Sequence, residues 1–209
     1  MKKIIAIVFS TLFFASAAVA EIAVGLTGAY YMIETKGSET ELTGDLEKTT
    51  TSVDENVEGA EIFAELVTET GLAIGVAYIP TRDLGAKSRT DSNSEGDSGD
   101  YKAQAEVDNV LQFYADIPVG PVYAKLGLSR ADLITQESLN SGSTYNNQDV
   151  YGWTIGVGKR GDFVGGTFYK GELSYTNFDQ YSDTSSDSEK KVEADTEVVA
   201  VKFSVGKAF

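Results

Sequence analysis

Thr196-Glu-Val-Val-Ala-Val-Lys-Phe-Ser-Val-Gly-Lys-Ala-Phe209 carries two faces. Side chains alternate across an extended strand, so Val199, Val201, Phe203, Val205 and Phe209 share one side. Ala200, Lys202, Ser204, Gly206 and Ala208 share the other. The first face suits hydrocarbon and the second is small or charged. A final strand of this kind can close a barrel in a membrane by pairing with the first strand.

The same alternation recurs upstream. Ile22, Val24, Leu26, Tyr30 and Met32 alternate with Ala23, Gly25, Thr27, Ala29 and Tyr31. Further strands are expected over 60–68, 72–79, 105–116, from Val122 to Ser129, 151–158 and 168–175. The polar runs 34–59, 80–104, 135–148 and 179–192 show no period and read as loops. Glu69-Thr-Gly71, Pro118-Val-Gly-Pro121 and Arg160-Gly161-Asp162 read as short turns. Eight strands are then joined long, short, long, short, long, short, long. That is the layout of an eight-stranded antiparallel up-and-down transmembrane β-barrel with four long extracellular loops and three short periplasmic turns.

A soluble barrel of lipocalin type, with an apolar pocket, also alternates. The second face separates the two. On a soluble barrel it would meet water and carry many charges, whereas here it holds Gly25, Ala29, Gly75, Ala77, Gly127, Gly156, Gly158 and Gly206. Small residues fit the inside of a narrow barrel. On the apolar face Tyr30, Tyr78, Tyr151, Trp153 and Tyr175 fall near the loop ends, and Phe113, Tyr169 and Phe209 near the turn ends. Two such bands match the aromatic girdles of a membrane barrel.

The address agrees. Met1-Lys2-Lys3, an apolar run from Ile4 to Ala17, and Ala18-Val19-Ala20 before Glu21 form a signal peptide with cleavage after Ala18-x-Ala20. Residues 1–20 are expected to be removed, leaving 21–209 as one barrel domain exported to the bacterial outer membrane, in the cell envelope of a Gram-negative organism. Net charge is −15, or −17 without Lys2 and Lys3. So acidic a chain lacks the basic footprint of a nucleic-acid binder. It has no cysteine and no histidine, and nothing in it calls for a cofactor.

Signal peptide, eight amphipathic strands and terminal Phe209 together resemble the small outer-membrane barrels: OmpX, the OmpA transmembrane domain and the opacity-type proteins. The resemblance implies a monomer among outer-membrane lipid and lipopolysaccharide. It also implies recognition by the barrel-assembly machinery through a C-terminal signal, here Phe203, Val205 and Phe209. That signal usually has an apolar or aromatic residue two before the end, where this chain has Lys207. Small outer-membrane barrels that are enzymes use histidine, so the resemblance brings no catalytic residue here.

Inside the barrel, period two places Glu61, Glu65, Asp108, Lys125, Lys170, Glu172 and Lys202 in one lumen. Buried charges are costly unless paired, so mixed signs suggest a salt-bridge plug in a structural or surface-interaction protein. The alternatives are a porin-like channel for small solutes and a conduit for apolar compounds. Glu34, Glu39, Glu41, Asp45, Glu47, Asp54, Glu55 and Glu58 crowd the first loop, where a solvated, mutually repelling surface is expected. Asp91, Asn93 and Glu95 begin like a calcium loop and are a weak candidate. Lys102 stands where the bidentate glutamate is needed, so no metal is expected.

Overall fold

The structure is a computed structural model and describes residues 20–43, 47–80, 82–91, 99–138 and 144–209 (the backbone alone for 20, 82–91, 99–105 and 136–138). Its segments are β1 (Ala20–Glu41), β2 (Lys48–Thr68), β3 (Ala73–Ile79), β4 (Arg82–Asp91), β5 (Gly99–Val119), β6 (Val122–Ser138), β7 (Gln148–Asp162), β8 (Thr167–Phe178), β9 (Tyr181–Thr184) and β10 (Lys190–Ala208). All pairings are antiparallel, and β1 meets β10 from Ala23↔Ala208 to Glu41↔Lys190, which closes the sheet. Eight wall strands result. β3 and β4 both pair with β5 and form one wall strand broken beside Pro80, which has no N–H to donate. β8 and β9 likewise share β10.

Register sets the shape. Stepping across paired residues from Val24 leads through Ala64, Val76, Phe113, Leu128, Trp153, Asn177 and Glu197. The path returns to β1 at Glu34, ten residues further on. Eight strands with that stagger tilt roughly 40° from the barrel axis and leave an interior that side chains can fill.

The two faces separate as the alternation expects. Ile22, Leu26, Ile62, Leu126, Ile155, Val157, Leu173, Val201, Phe203 and Val205 are exposed on the outer wall, whereas Ala23, Thr27, Glu61, Tyr114, Lys125, Thr154, Lys170 and Lys202 are buried inside. A water-soluble protein does not present an apolar belt of this extent. Among the described residues no helix is long and apolar enough to cross a membrane; the crossing is made by strands.

Inside, four large aromatics each lie over a glycine of the next strand: Phe63 over Gly25, Tyr114 over Gly75, Tyr123 over Gly158 and Phe168 over Gly206. These four glycines of the inner face are therefore seats for neighbouring rings, whereas Gly127 and Gly156 lie against Thr154, Gln112, Ser174 and Lys125.

Several features differ from the sequence reading. The run 80–104, expected as a loop, holds β4 and the start of β5, and the run 179–192 holds β9 and the start of β10. The run 34–59 is mostly strand: β1 and β2 stay paired out to Thr40↔Lys48, and β10 runs beside β1 to Lys190. Beyond the membrane both faces meet water, so pairing continues without an apolar period to reveal it. Next, Arg160, Gly161 and Asp162 belong to β7. The third turn lies at 163–166, where Gly165 and Gly166 take φ of +83° and +78°. Finally, Phe113 pairs with Val76, the middle residue of β3, and sits mid-wall instead of at the turn end. The turn-end aromatics are Phe163, Tyr169 and Phe209; Tyr169 lies 5.3 Å from Phe163 and 6.4 Å from Phe203. At the loop end Trp153 and Tyr175 pack at 5.6 Å, with Tyr30, Tyr78 and Tyr151 exposed on the same wall.

Candidate functional site

The lumen is the most chemically organised part of the molecule. Alternation along β2 turns Glu61 and Glu65 inward, β6 supplies Lys125, β8 supplies Lys170 and Glu172, and β10 supplies Lys202. Two residues outside the sequence-based set join them: Asp116 from β5 and Arg160 from β7.

Lys170 is the central post. Its Nζ donates to Glu65 Oε2 at 2.5 Å and to Asp116 Oδ2 at 2.8 Å, so it ties β8 across the lumen to β2 and β5. Phe63, Tyr114 and Tyr123 surround the ammonium, with ring centres 5.4–5.6 Å away. Lys125 Nζ lies 2.9 Å from Glu172 Oε2, 3.4 Å from Asp116 Oδ1 and 3.7 Å from the centre of the Tyr114 ring. Arg160 reaches Glu65 Oε1 at 3.2 Å and stacks over Phe168 at 3.8 Å. One level towards the loops, Lys202 pairs with Glu61 at 2.7 Å, and Tyr31 Oη donates to the same carboxylate. Tyr114 donates to Glu65 at 3.0 Å and Tyr123 to Glu172 at 2.9 Å.

Four carboxylates thus face four cations, and the set is neutral. Each of these four acids has at least one cation within 3.4 Å. That compensation lets so many charges lie in a narrow interior, where an unpaired one would be expelled or neutralised. Asp116 Oδ1 and Glu172 Oε1 are buried without a hydrogen-bond donor among the described residues, although Lys125 faces the first of them. Above the ion pairs an apolar layer of Ala29, Tyr31, Ile33, Ile79, Val110, Ala131, Val150 and Ala200 fills the loop end of the lumen. Phe63, Tyr114 and Phe168 pack with Ala23 and Ala77 towards the turns.

Asp108 is not part of this network. A bulge between Asp108 and Leu111, with Asn109 at a φ of 49°, breaks the alternation of β5. Asp108 there accepts hydrogen bonds from the backbone N and the Nδ2 of Asn109. Asp116 continues the inward series Gln112, Tyr114, Asp116, and Arg160 continues Thr154, Gly156, Gly158. Both follow from extending the alternation to the end of the strand.

Phe203 and Val205 lie on the closing strand opposite Gly28 and Leu26. Ala20 begins β1, whereas Ala18 lies outside the described residues. Asn93 and Glu95 also lie outside them, and Asp91 ends β4.

No protein-family model matches the chain, and no curated protein sequence is similar to it. Solved structures are. The chain resembles the outer membrane protein OprG from Pseudomonas aeruginosa at 14% identity and a TM-score of 0.53, over 90% of this chain and 96% of that one. It also resembles the outer membrane protease OmpT from Escherichia coli at 8% identity and a TM-score of 0.46, over 90% and 97%. Ail, the attachment invasion locus protein of Yersinia pestis, is similar at 11% identity and a TM-score of 0.36, over 85% and 98%. At such identities the likeness is one of fold. With its closed register, lipid-facing apolar wall and ion-paired interior, this chain is an integral membrane β-barrel with the fold of the small eight-stranded outer-membrane barrels.

Proposed function

We propose that the protein is a closed, non-enzymatic membrane scaffold that acts through the strands it raises above the outer surface, in a structural or surface-interaction role. The observation that carries this reading is the neutral network of Glu61, Glu65, Asp116, Glu172, Lys125, Lys170, Lys202 and Arg160, whose pairs run from wall to wall. A solute would have to displace several of these pairs at once, and each lost partner would strand a buried charge. The absence of histidine from the chain supports a role without proton-transfer chemistry. Above the membrane β2, β1 and β10 continue as a sheet, joined by β9 along β10. It presents Glu34, Glu39, Asp54, Glu58 and Glu193 on a paired backbone rather than on a free loop.

Conductance of the refolded barrel in a planar bilayer tests the proposal, with and without the double substitution Lys125→Ala and Lys170→Ala. A silent wild type is expected. Stable single-channel steps in the wild type, altered by the two substitutions, would make the protein a small-solute channel and reject the scaffold reading.

A further inference from the structure

Three neighbouring wall strands depart from the apolar pattern of the lipid-facing surface. Approaching the turn end, the outward positions read Ile155, Val157, Lys159 on β7, Leu173, Gly171, Tyr169 on β8, and Phe203, Val205, Lys207 on β10. Lys159 and Lys207 are cations on a wall made for hydrocarbon. A charge there is tolerated only near the interface, where a long side chain can bend its ammonium to the headgroups. Arg130, which faces outward at the opposite rim, has its charge met by Asp132 at 2.9 Å and Asp149 at 3.0 Å. Among the described residues neither lysine has a carboxylate partner; Lys207 Nζ stands 5.4 Å from the centre of the Phe209 ring.

The register brings the two lysines around one feature. Tyr169 pairs with Gly161, two residues from Lys159, and with Val205, two residues from Lys207. Two residues further from the turn, Gly171 pairs with Lys159 on one side and Phe203 on the other. A side chain at Gly171 would meet nothing within 4 Å, so the wall is indented between Tyr169, Leu173 and Phe203. Across Phe203 the same row reaches Gly28, which is equally open. Open positions at Gly171, beside Lys159, and at Gly28 thus flank the exposed Phe203 ring, with Lys207 nearer the turn on the strand of Phe203.

We propose that this is a binding site for an anionic glycerophospholipid of the periplasmic leaflet. Its phosphate lies between Lys159 and Lys207, and one acyl chain lies over Gly171 against Phe203. Two cations without carboxylate partners favour a headgroup of net negative charge. A zwitterionic lipid brings its own ammonium and gains less. The position of the lysines at the turn end selects the leaflet.

The test uses refolded barrel in nanodiscs of phosphatidylglycerol and phosphatidylcholine, in equal amounts and with identical acyl chains. Retained lipid is counted by native mass spectrometry after release. The wild type is expected to hold the phosphatidylglycerol several-fold over the phosphatidylcholine. Lys159→Gln with Lys207→Gln should bring the ratio to one, and Lys159→Arg with Lys207→Arg should keep the preference. Gly171→Leu, which fills open space, should lower retention of both lipids. The heat-dependent electrophoretic shift of a closed barrel verifies that each variant is folded. Equal retention by the wild type, or a preference that survives the glutamine pair, overturns the headgroup site; unchanged retention in Gly171→Leu overturns the acyl groove.

Discussion

Lys170→Met retains an unbranched side chain and removes the charge at the centre of the lumen. Glu65 and Asp116 each lose their shorter ion pair, at 2.5 and 2.8 Å. Removing one partner of a buried pair typically costs about 3–5 kcal/mol, most of it from the charge left behind. Here Glu65 keeps Arg160 at 3.2 Å and Asp116 keeps Lys125 at 3.4 Å. That residual compensation puts the expected loss at the lower end, about 3 kcal/mol. Adding Glu65→Gln removes a carboxylate along with the cation, so the double variant should recover about 1 kcal/mol or more relative to the sum of the single losses. Reversible urea unfolding in phospholipid vesicles provides the measurement. Trp153, the only tryptophan of the chain, sits on the lipid-facing wall and reports the loss of the barrel directly. A loss under about 1 kcal/mol, the range of exposed pairs, together with strict additivity in the double variant, would refute the buried network as a source of stability.

Two further outcomes are expected. A β-carbon on Gly75 would lie 2.5 Å from Tyr114 Cζ, whereas one on Gly28 meets nothing within 4 Å. Gly75→Ala should therefore cost about 1–3 kcal/mol in the same unfolding assay, and Gly28→Ala should stay within about 0.5 kcal/mol of wild type. In the outer extension, the hydrogen bond from Lys191 at 2.6 Å, with the charge of that lysine, holds the Glu193 carboxyl below its ordinary range. Its contribution is thus fully present above the ordinary carboxylate range and is lost as pH falls through the lowered value. NMR titration should find Glu193 protonating at lower pH than an ordinary glutamate and returning to the ordinary range in Lys191→Ala; no change in that variant would rule out the pairing.

What the sequence makes visible follows from where the solvent changes. Across the membrane, lipid on one side and a packed lumen on the other impose a strict period of two, and the lipid-facing and inward sets follow directly from it. Outside the membrane the same strands of β1, β2 and β10 have water on both faces. The segments 34–41 and 48–59 then lose their period without losing their backbone pairing, and cannot be told from a loop. Within the lumen the strict alternation misplaces Asp108, because the bulge at Asn109 inserts a residue that no composition signals. Arg160 is hidden by its neighbours: Gly161 and Asp162 have turn chemistry, but the left-handed backbone needed for the turn is taken by Gly165 and Gly166. The ring-over-glycine seats are invisible in one strand alone, since Gly75 and Tyr114 meet only through the β3–β5 register.

The seam between β1 and β10 has a consequence for how the molecule comes into being. Its contacts join residues as far apart as Ala23 and Ala208, so it pairs the earliest segment of the barrel with the last. Such a contact forms slowly, because almost the whole chain must be ordered before its ends can meet. Until then β1 and β8 each present a row of backbone donors and acceptors that water can satisfy and hydrocarbon cannot. A partly built wall therefore has no comfortable place in a bilayer. Closing the ring and entering the membrane become a single late event, with the closing strand deciding when it happens.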